Sequence, residues 1–188
     1  SANEVEVDGD TVLRARNFVI ATGRRAGIPP IEGIDSVPYF TNETIFDTLN
    51  ERPDRLVIVG AGPIGCELGQ VFGRLGVEVT LVEFMPQIMG KEDGDVASFV
   101  QKKLEGEGVR VLTNTGVKRA EQRDGAIHLE ASQRGAEGEG TTISLATDAL
   151  LIAAGRIPNV EDLNLEAAGV TYERQGIPVN AYLQTNRK

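Results

Sequence analysis

Residues 55 to 83 read Arg-Leu-Val-Ile-Val-Gly-Ala-Gly-Pro-Ile-Gly-Cys-Glu-Leu-Gly-Gln-Val-Phe-Gly-Arg-Leu-Gly-Val-Glu-Val-Thr-Leu-Val-Glu. Leu56 to Val59 is apolar throughout, as a strand covered on both faces of a parallel sheet must be. Gly60, Gly62 and Gly65 follow at G-x-G-x-x-G spacing. Ile64, Leu68, Val71, Phe72 and Leu75 recur every three or four residues, which predicts a helix with these side chains on one face. Pro63 suits its first turn, where no N–H partner is lost. Gly76 stands where a C-terminal cap belongs. A second apolar strand, Val77 to Val82, ends at Glu83, about 20 residues beyond the glycines.

Each part has a task in holding a dinucleotide. Gly60 allows the tight turn out of the strand, and Gly62 lets the backbone approach a pyrophosphate. Gly65 lets the helix pack close to the sheet. The helix start offers unpaired N–H groups and the positive end of its dipole to the phosphates. A carboxylate at Glu83 accepts hydrogen bonds from an adenosine ribose and repels a 2′-phosphate. Phe84, Met85, Pro86 and Gln87 supply no cation; the first is Lys91. The stretch therefore favours NAD(H) over NADP(H).

Composition narrows the class. A chain of 188 residues accommodates one domain, or one domain with pieces of another. The formal charge of −9, with no basic stripe, disfavours a nucleic-acid partner. No apolar run approaches the length that spans a bilayer, so no membrane partner is expected. Ser1 to Asp10 is acidic and polar, unlike a signal peptide. A single cysteine, Cys66, forms no internal disulfide and suits a reducing, cytoplasmic setting. It reads as a small buried residue, and the lone histidine, His128, as a strand residue. No ligand cluster for a metal is visible.

Around the fingerprint, Glu4 to Val7 and Val12 to Ile20 flank Asp8-Gly9-Asp10 and predict a hairpin whose second strand runs on towards Gly23. Ile28 to Tyr39 carries three of the eight prolines and reads as a linker. Thr44 to Leu49 predicts a short helix. Asp93 or Asp95 caps a second long helix with Val96, Phe99, Val100 and Leu104 on its apolar face. Val109 to Leu112 predicts a third parallel strand. Gly116 to Gln122, Ala126 to Ser132 and Thr141 to Leu145 alternate and predict an antiparallel meander, its last turn being Gln133 to Gly140. Ala149 to Ala153 is another buried strand. The tail is mostly loop, with one short strand at Ile177 to Val179.

In order along the chain stand Ala21-Thr22-Gly23, Gly60-x-Gly62-x-x-Gly65-x-Glu67, Glu83, Ala154-Gly155-Arg156-x-Pro158-Asn159, Ile177-Pro178-Val179-Asn180 and Gln184-Thr185. This series resembles the pyridine nucleotide–disulfide oxidoreductases, in their dihydrolipoamide dehydrogenase and mercuric reductase branch. The fold expected is α/β: a Rossmann-like three-layer domain with a parallel sheet and an antiparallel β-meander, flanked by partial FAD-domain segments. The resemblance implies an FAD domain interrupted by an NAD domain. Residues 1–44 and 157–188 would belong to the FAD domain, and 45–156 would form the NAD(H)-binding domain.

The resemblance further implies that Thr22 and Gly23 lie near FAD, and that Val117 and Gly155 line the NAD site with Gly60, Gly62, Pro63, Ile64, Gly65 and Glu83. It makes Glu67 the flavin-side partner of a lysine upstream of Ser1. Three elements of the family pattern are not in this sequence: the FAD fingerprint, the Cys-x4-Cys pair, and the closing domain with its His–Glu pair. Pro63 stands where the glutathione reductase branch has an aromatic gate. The implied activity is hydride transfer from NADH to flavin in a full-length homodimer, with no turnover by this section alone. A quinone reductase or transhydrogenase without redox cysteines, and a non-catalytic NAD-responsive module, remain open, as does the final electron acceptor.

Overall fold

The computed structural model describes residues 3–135 and 140–187, and the middle of the expected turn at 133–140 lies outside them. In chain order the elements are β1 (Glu4–Val7), β2 (Thr11–Arg14), β3 (Arg24–Ala26), β4 (Phe40–Thr41), α1 (Ile45–Thr48), β5 (Arg55–Val59), α2 (Pro63–Arg74), β6 (Glu78–Val82), α3 (Gly94–Gly106), β7 (Arg110–Leu112), β8 (Thr115–Arg123), β9 (Ala126–Arg134), β10 (Gly140–Thr147), β11 (Ala149–Ile152) and β12 (Arg156–Pro158). They divide into two compact units, Ala26–Gly155 and the pair of terminal segments Ser1–Arg25 with Arg156–Lys188.

In the central unit a parallel sheet has the order β4-β11-β5-β6-β7. Two crossovers, β5-α2-β6 and β6-α3-β7, carry the helices to one face. There Leu56, Ile58, Val79, Leu81 and Leu151 form a core with Leu68, Phe72 and Leu104. The opposite side chains of the same strands, Val57, Val59, Val82, Leu150 and Ile152, pack against Ala120, Ile127, Leu129 and Leu145 of the antiparallel meander β10-β9-β8. Alternation thus splits one apolar run between two cores, which explains why these strands read as continuous apolar segments. The result is three layers: helices, parallel sheet, meander.

Helix α2 buries the Ile64, Leu68 and Phe72 side of the face its periodicity predicts, but not Val71 and Leu75. Val71 and Leu75 are 48% and 60% exposed, whereas Gly65, Cys66, Leu68, Gly69 and Phe72 are buried. The helix lies so close to the sheet that a Cβ on Gly69 would come within 3.3 Å of Leu81. Glycines, silent in a hydrophobicity pattern, make the contact. Helix α3 shows the same correction. Asp93 is its N-cap, without a side-chain cap bond. Ala97 and Leu104 are buried while Val96 and Phe99 face outward.

The proline-rich stretch 28–39 is anchored on the meander. Ile31, Ile34 and Val37 are buried in the meander-side core. Glu32 adds a bridge to the edge of β8, donating its N–H to the Lys118 carbonyl at 2.9 Å and accepting from Ala120 at 2.8 Å. Gly33 (φ 77°) presses against the Ala120 carbonyl, where a Cβ would sit 2.3 Å away.

In the terminal unit β1 and β2 form the expected hairpin, but β2 ends at Arg14 and residues 15–23 are irregular. The strand expected at Ile177 to Val179 does not pair. Two short strands carrying arginines, β3 and β12, pair instead.

Candidate dinucleotide site

The parallel sheet places β5 beside β11, and the glycine turn follows the carboxyl end of β5. In open α/β sheets ligands bind in the crevice beyond the carboxyl ends of the strands. Gly60 has φ 103°, a conformation suited to glycine, and donates its N–H to the Val82 carbonyl at 2.8 Å. A Cβ on Gly60 would lie 2.5 Å from the Ala153 carbonyl oxygen, just beyond β11. A Cβ on Gly65 would lie 2.0 Å from the Gly60 carbonyl oxygen. These two glycines are thus demanded by the protein's own packing.

Gly62 differs. Its backbone is extended (φ −74°, ψ −172°), and an added Cβ would meet nothing within 4 Å. The fold itself has no need of glycine here. Gly62 is the N-cap of α2, whose intrahelical bonding begins with Cys66 N–H to the Gly62 carbonyl at 3.0 Å. The earlier N–H groups of a helix have no intrahelical partner and suit an anion.

Glu83 follows β6, half-buried, with both carboxylate oxygens engaged. Oε2 accepts from the Ala61 N–H at 2.7 Å, inside the glycine turn. Oε1 accepts from the Met85 N–H at 2.8 Å. The Ala61 carbonyl accepts in turn from Met89 N–H (2.8 Å) and, weakly, from the Cys66 thiol (3.3 Å). One carboxylate therefore ties the turn to the loop after β6, a role its sequence position did not reveal. Carboxylate oxygens have further lone pairs, so ribose hydroxyls can still donate to them. Burial first, then the charges of Glu83 and Glu67, pushes the Cys66 thiol up to about 11. It stays protonated at neutral pH, in keeping with a small core residue.

The other residues singled out in the sequence are placed as follows. Pro63 and Ile64 open α2, and Glu67 is exposed on its next turn. Val117 is half-buried on β8 at an irregularity in register. Gly155 (φ 123°) follows Ala153, whose N–H donates to the Val59 carbonyl at 2.8 Å. Gly60, Gly62, Gly65, Glu83 and the 153–155 segment therefore gather at one end of the sheet. In the terminal unit, Thr22 donates to the Asn159 carbonyl at 2.6 Å and Asn159 Nδ2 donates to the Thr22 carbonyl at 2.9 Å. Asn159 N–H also reaches the Gly23 carbonyl at 3.0 Å. The Ala21-Thr22-Gly23 and Arg156-to-Asn159 motifs are thus each other's partners.

The sequence profile of the pyridine nucleotide-disulphide oxidoreductases matches residues 1–188. The chain belongs to this family. It is 38% identical to a dihydrolipoyl dehydrogenase of Thermus scotoductus, over 97% of this chain and 39% of the relative. It is 37% identical to a mercuric reductase of Bacillus cereus, over 97% of this chain and 28% of the relative. The flavoprotein disulfide reductase RclA of Escherichia coli, described as HOCl-induced, superposes with a TM-score of 0.85 at 30% identity, over 99% of this chain and 41% of that one. The chain thus spans about three to four tenths of these relatives. Membership brings FAD and a pyridine nucleotide as the family's cofactors. Among the described residues no helix is long and apolar enough to cross a membrane.

Proposed function

We propose that this chain is the NAD(H)-binding section of an FAD-dependent pyridine nucleotide–disulfide oxidoreductase, and that it positions NADH for hydride transfer to the flavin. The observation that carries this reading is the pair formed by Gly62 and Glu83: open space before one, and a carboxylate fixed on the same turn by the other. The Gly60–Gly65 turn and the start of α2 bind the pyrophosphate. Glu83 orients the adenosine ribose and disfavours a 2′-phosphate, and Val117 and Gly155 flank the dinucleotide. Thr22 and Gly23 serve the flavin side, and Glu67 pairs with a flavin-side lysine.

Bound together, the two cofactors supply the hydride donor and the electron acceptor; the protein supplies position and electrostatics. The exposed Val19, Ile20 and Leu183 of the terminal unit suit packing against the further polypeptide that the longer relatives possess. This section alone therefore binds NADH without turnover. Calorimetric titration of the full-length protein with NADH tests the reading: one saturable site per chain is expected, and the absence of binding would overturn it.

A further inference from the structure

The loop after Glu83 contains no cation before Lys91, yet the fold brings one in from β9. The Arg134 guanidinium carbon stands 4.3 Å from the centroid of the Phe84 ring. Phe84 immediately follows Glu83 and is 51% exposed. Its ring rests on Gly116 of β8, where a Cβ would come within 3.1 Å of it. The end of β9 is tied to the same loop through the backbone: Arg134 N–H donates to the Asn114 carbonyl at 2.9 Å, and Asn114 N–H to the Met85 carbonyl at 2.9 Å. Asn114 takes a left-handed conformation (φ 52°) to make this link. Arg134 has no carboxylate within ion-pair distance among the described residues, unlike Arg119 and Arg123 on the neighbouring strand. A guanidinium thus stands over an aromatic ring, one residue from the proposed ribose acid, and among the described residues its N–H fork has no acceptor. Such a fork matches a phosphate in shape and charge.

We propose that Arg134, seated on Phe84, is a specificity-determining residue of the dinucleotide site, giving an adenosine 2′-phosphate a cationic partner that offsets the repulsion from Glu83. The inference rests on the dinucleotide reading above and refines it: the site prefers NADH, by a narrower margin than Glu83 alone would set.

The test is the dissociation constants of NADH and NADPH for the full-length protein, its Arg134→Ala and Phe84→Ala variants, and an Arg123→Ala control. Arg134→Ala is expected to weaken NADPH by about tenfold, the scale of one charge-assisted hydrogen bond, and to leave NADH within about twofold. Phe84→Ala, which removes the seat, shifts the ratio the same way, and Arg123→Ala does not. Salt weakens NADPH binding to the native protein more than to Arg134→Ala. Equal changes for both dinucleotides, or no change for NADPH, would overturn this inference while leaving the dinucleotide site standing. Failure of the unaltered protein to bind either one would overturn both.

Discussion

The central unit and the terminal unit come from the same chain but are held by different forces. The central unit buries Ile58, Leu81, Leu150 and Leu151 completely, on both faces of one sheet. In the terminal unit the hairpin strands β1 and β2 are almost wholly exposed, and Val12, Leu13 and Val19 face outward. What fixes that unit is polar: the Thr22–Asn159 exchange, a bidentate Arg25–Glu161 pair at 3.0 Å, and Arg24 on the Gln175 carbonyl. Exposed ion pairs contribute little to stability, because water screens them and ordering long side chains costs entropy. Stability should therefore be concentrated in the central unit.

The sharpest way to break this contrast is a pair of truncations. Leu151→Ala is expected to destabilise the protein by about 3 kcal/mol, within the range for fully buried leucines. In the 188-residue section alone, where Leu13 is 52% exposed, Leu13→Ala is expected to change stability by less than about 0.5 kcal/mol. Urea melts of both variants check this, and equal losses would erase the distinction. Next in size is Gly65→Ala, whose methyl has no room beside the Gly60 carbonyl. A loss of about 2 kcal/mol is expected, again in urea. Glu83→Ala strands the Ala61 and Met85 N–H groups, with a cost of about 1–2 kcal/mol and at least about tenfold weaker NADH binding.

The smallest effect concerns pH. The Arg55 guanidinium, hydrogen-bonded to Asp148 at 2.7 Å, holds that carboxyl below its ordinary value. The pair's contribution is therefore present above about pH 4, the unfolded value, and fades as pH falls through the lower native one. Asp148→Asn should flatten the acid limb of a stability profile by a few tenths of a kcal/mol, given the pair's exposure.

The same contrast explains what the sequence disclosed. Four of the five strands of the parallel sheet, β4 being the exception, and the meander were legible because burial on two faces, or on one, writes a pattern into the residues, and the glycine turn was legible from its spacing. The inward face of α2 was legible only in Ile64, Leu68 and Phe72, because Gly65 and Gly69 carry no hydrophobic signal although they make the closest contacts. β3 and β12 escaped notice because three residues rich in arginine have no readable period, and their pairing rests on partners more than 100 positions apart. At the site, Gly60, Gly65 and Glu83 were expected from spacing. The second task of Glu83 and the arrival of Arg134 were not, since both depend on where separate strands meet.

The most direct test of the central claim is NADH binding by Gly62→Val. In the free protein a Cβ at this position meets nothing within 4 Å and the backbone conformation is an ordinary one, so the urea midpoint should fall only by what a poorer N-cap residue costs. If that space belongs to a dinucleotide's pyrophosphate, NADH affinity should fall at least about a hundredfold, the scale of losing several charge-assisted hydrogen bonds. A folded Gly62→Val variant that binds NADH as tightly as the unaltered protein would contradict the account.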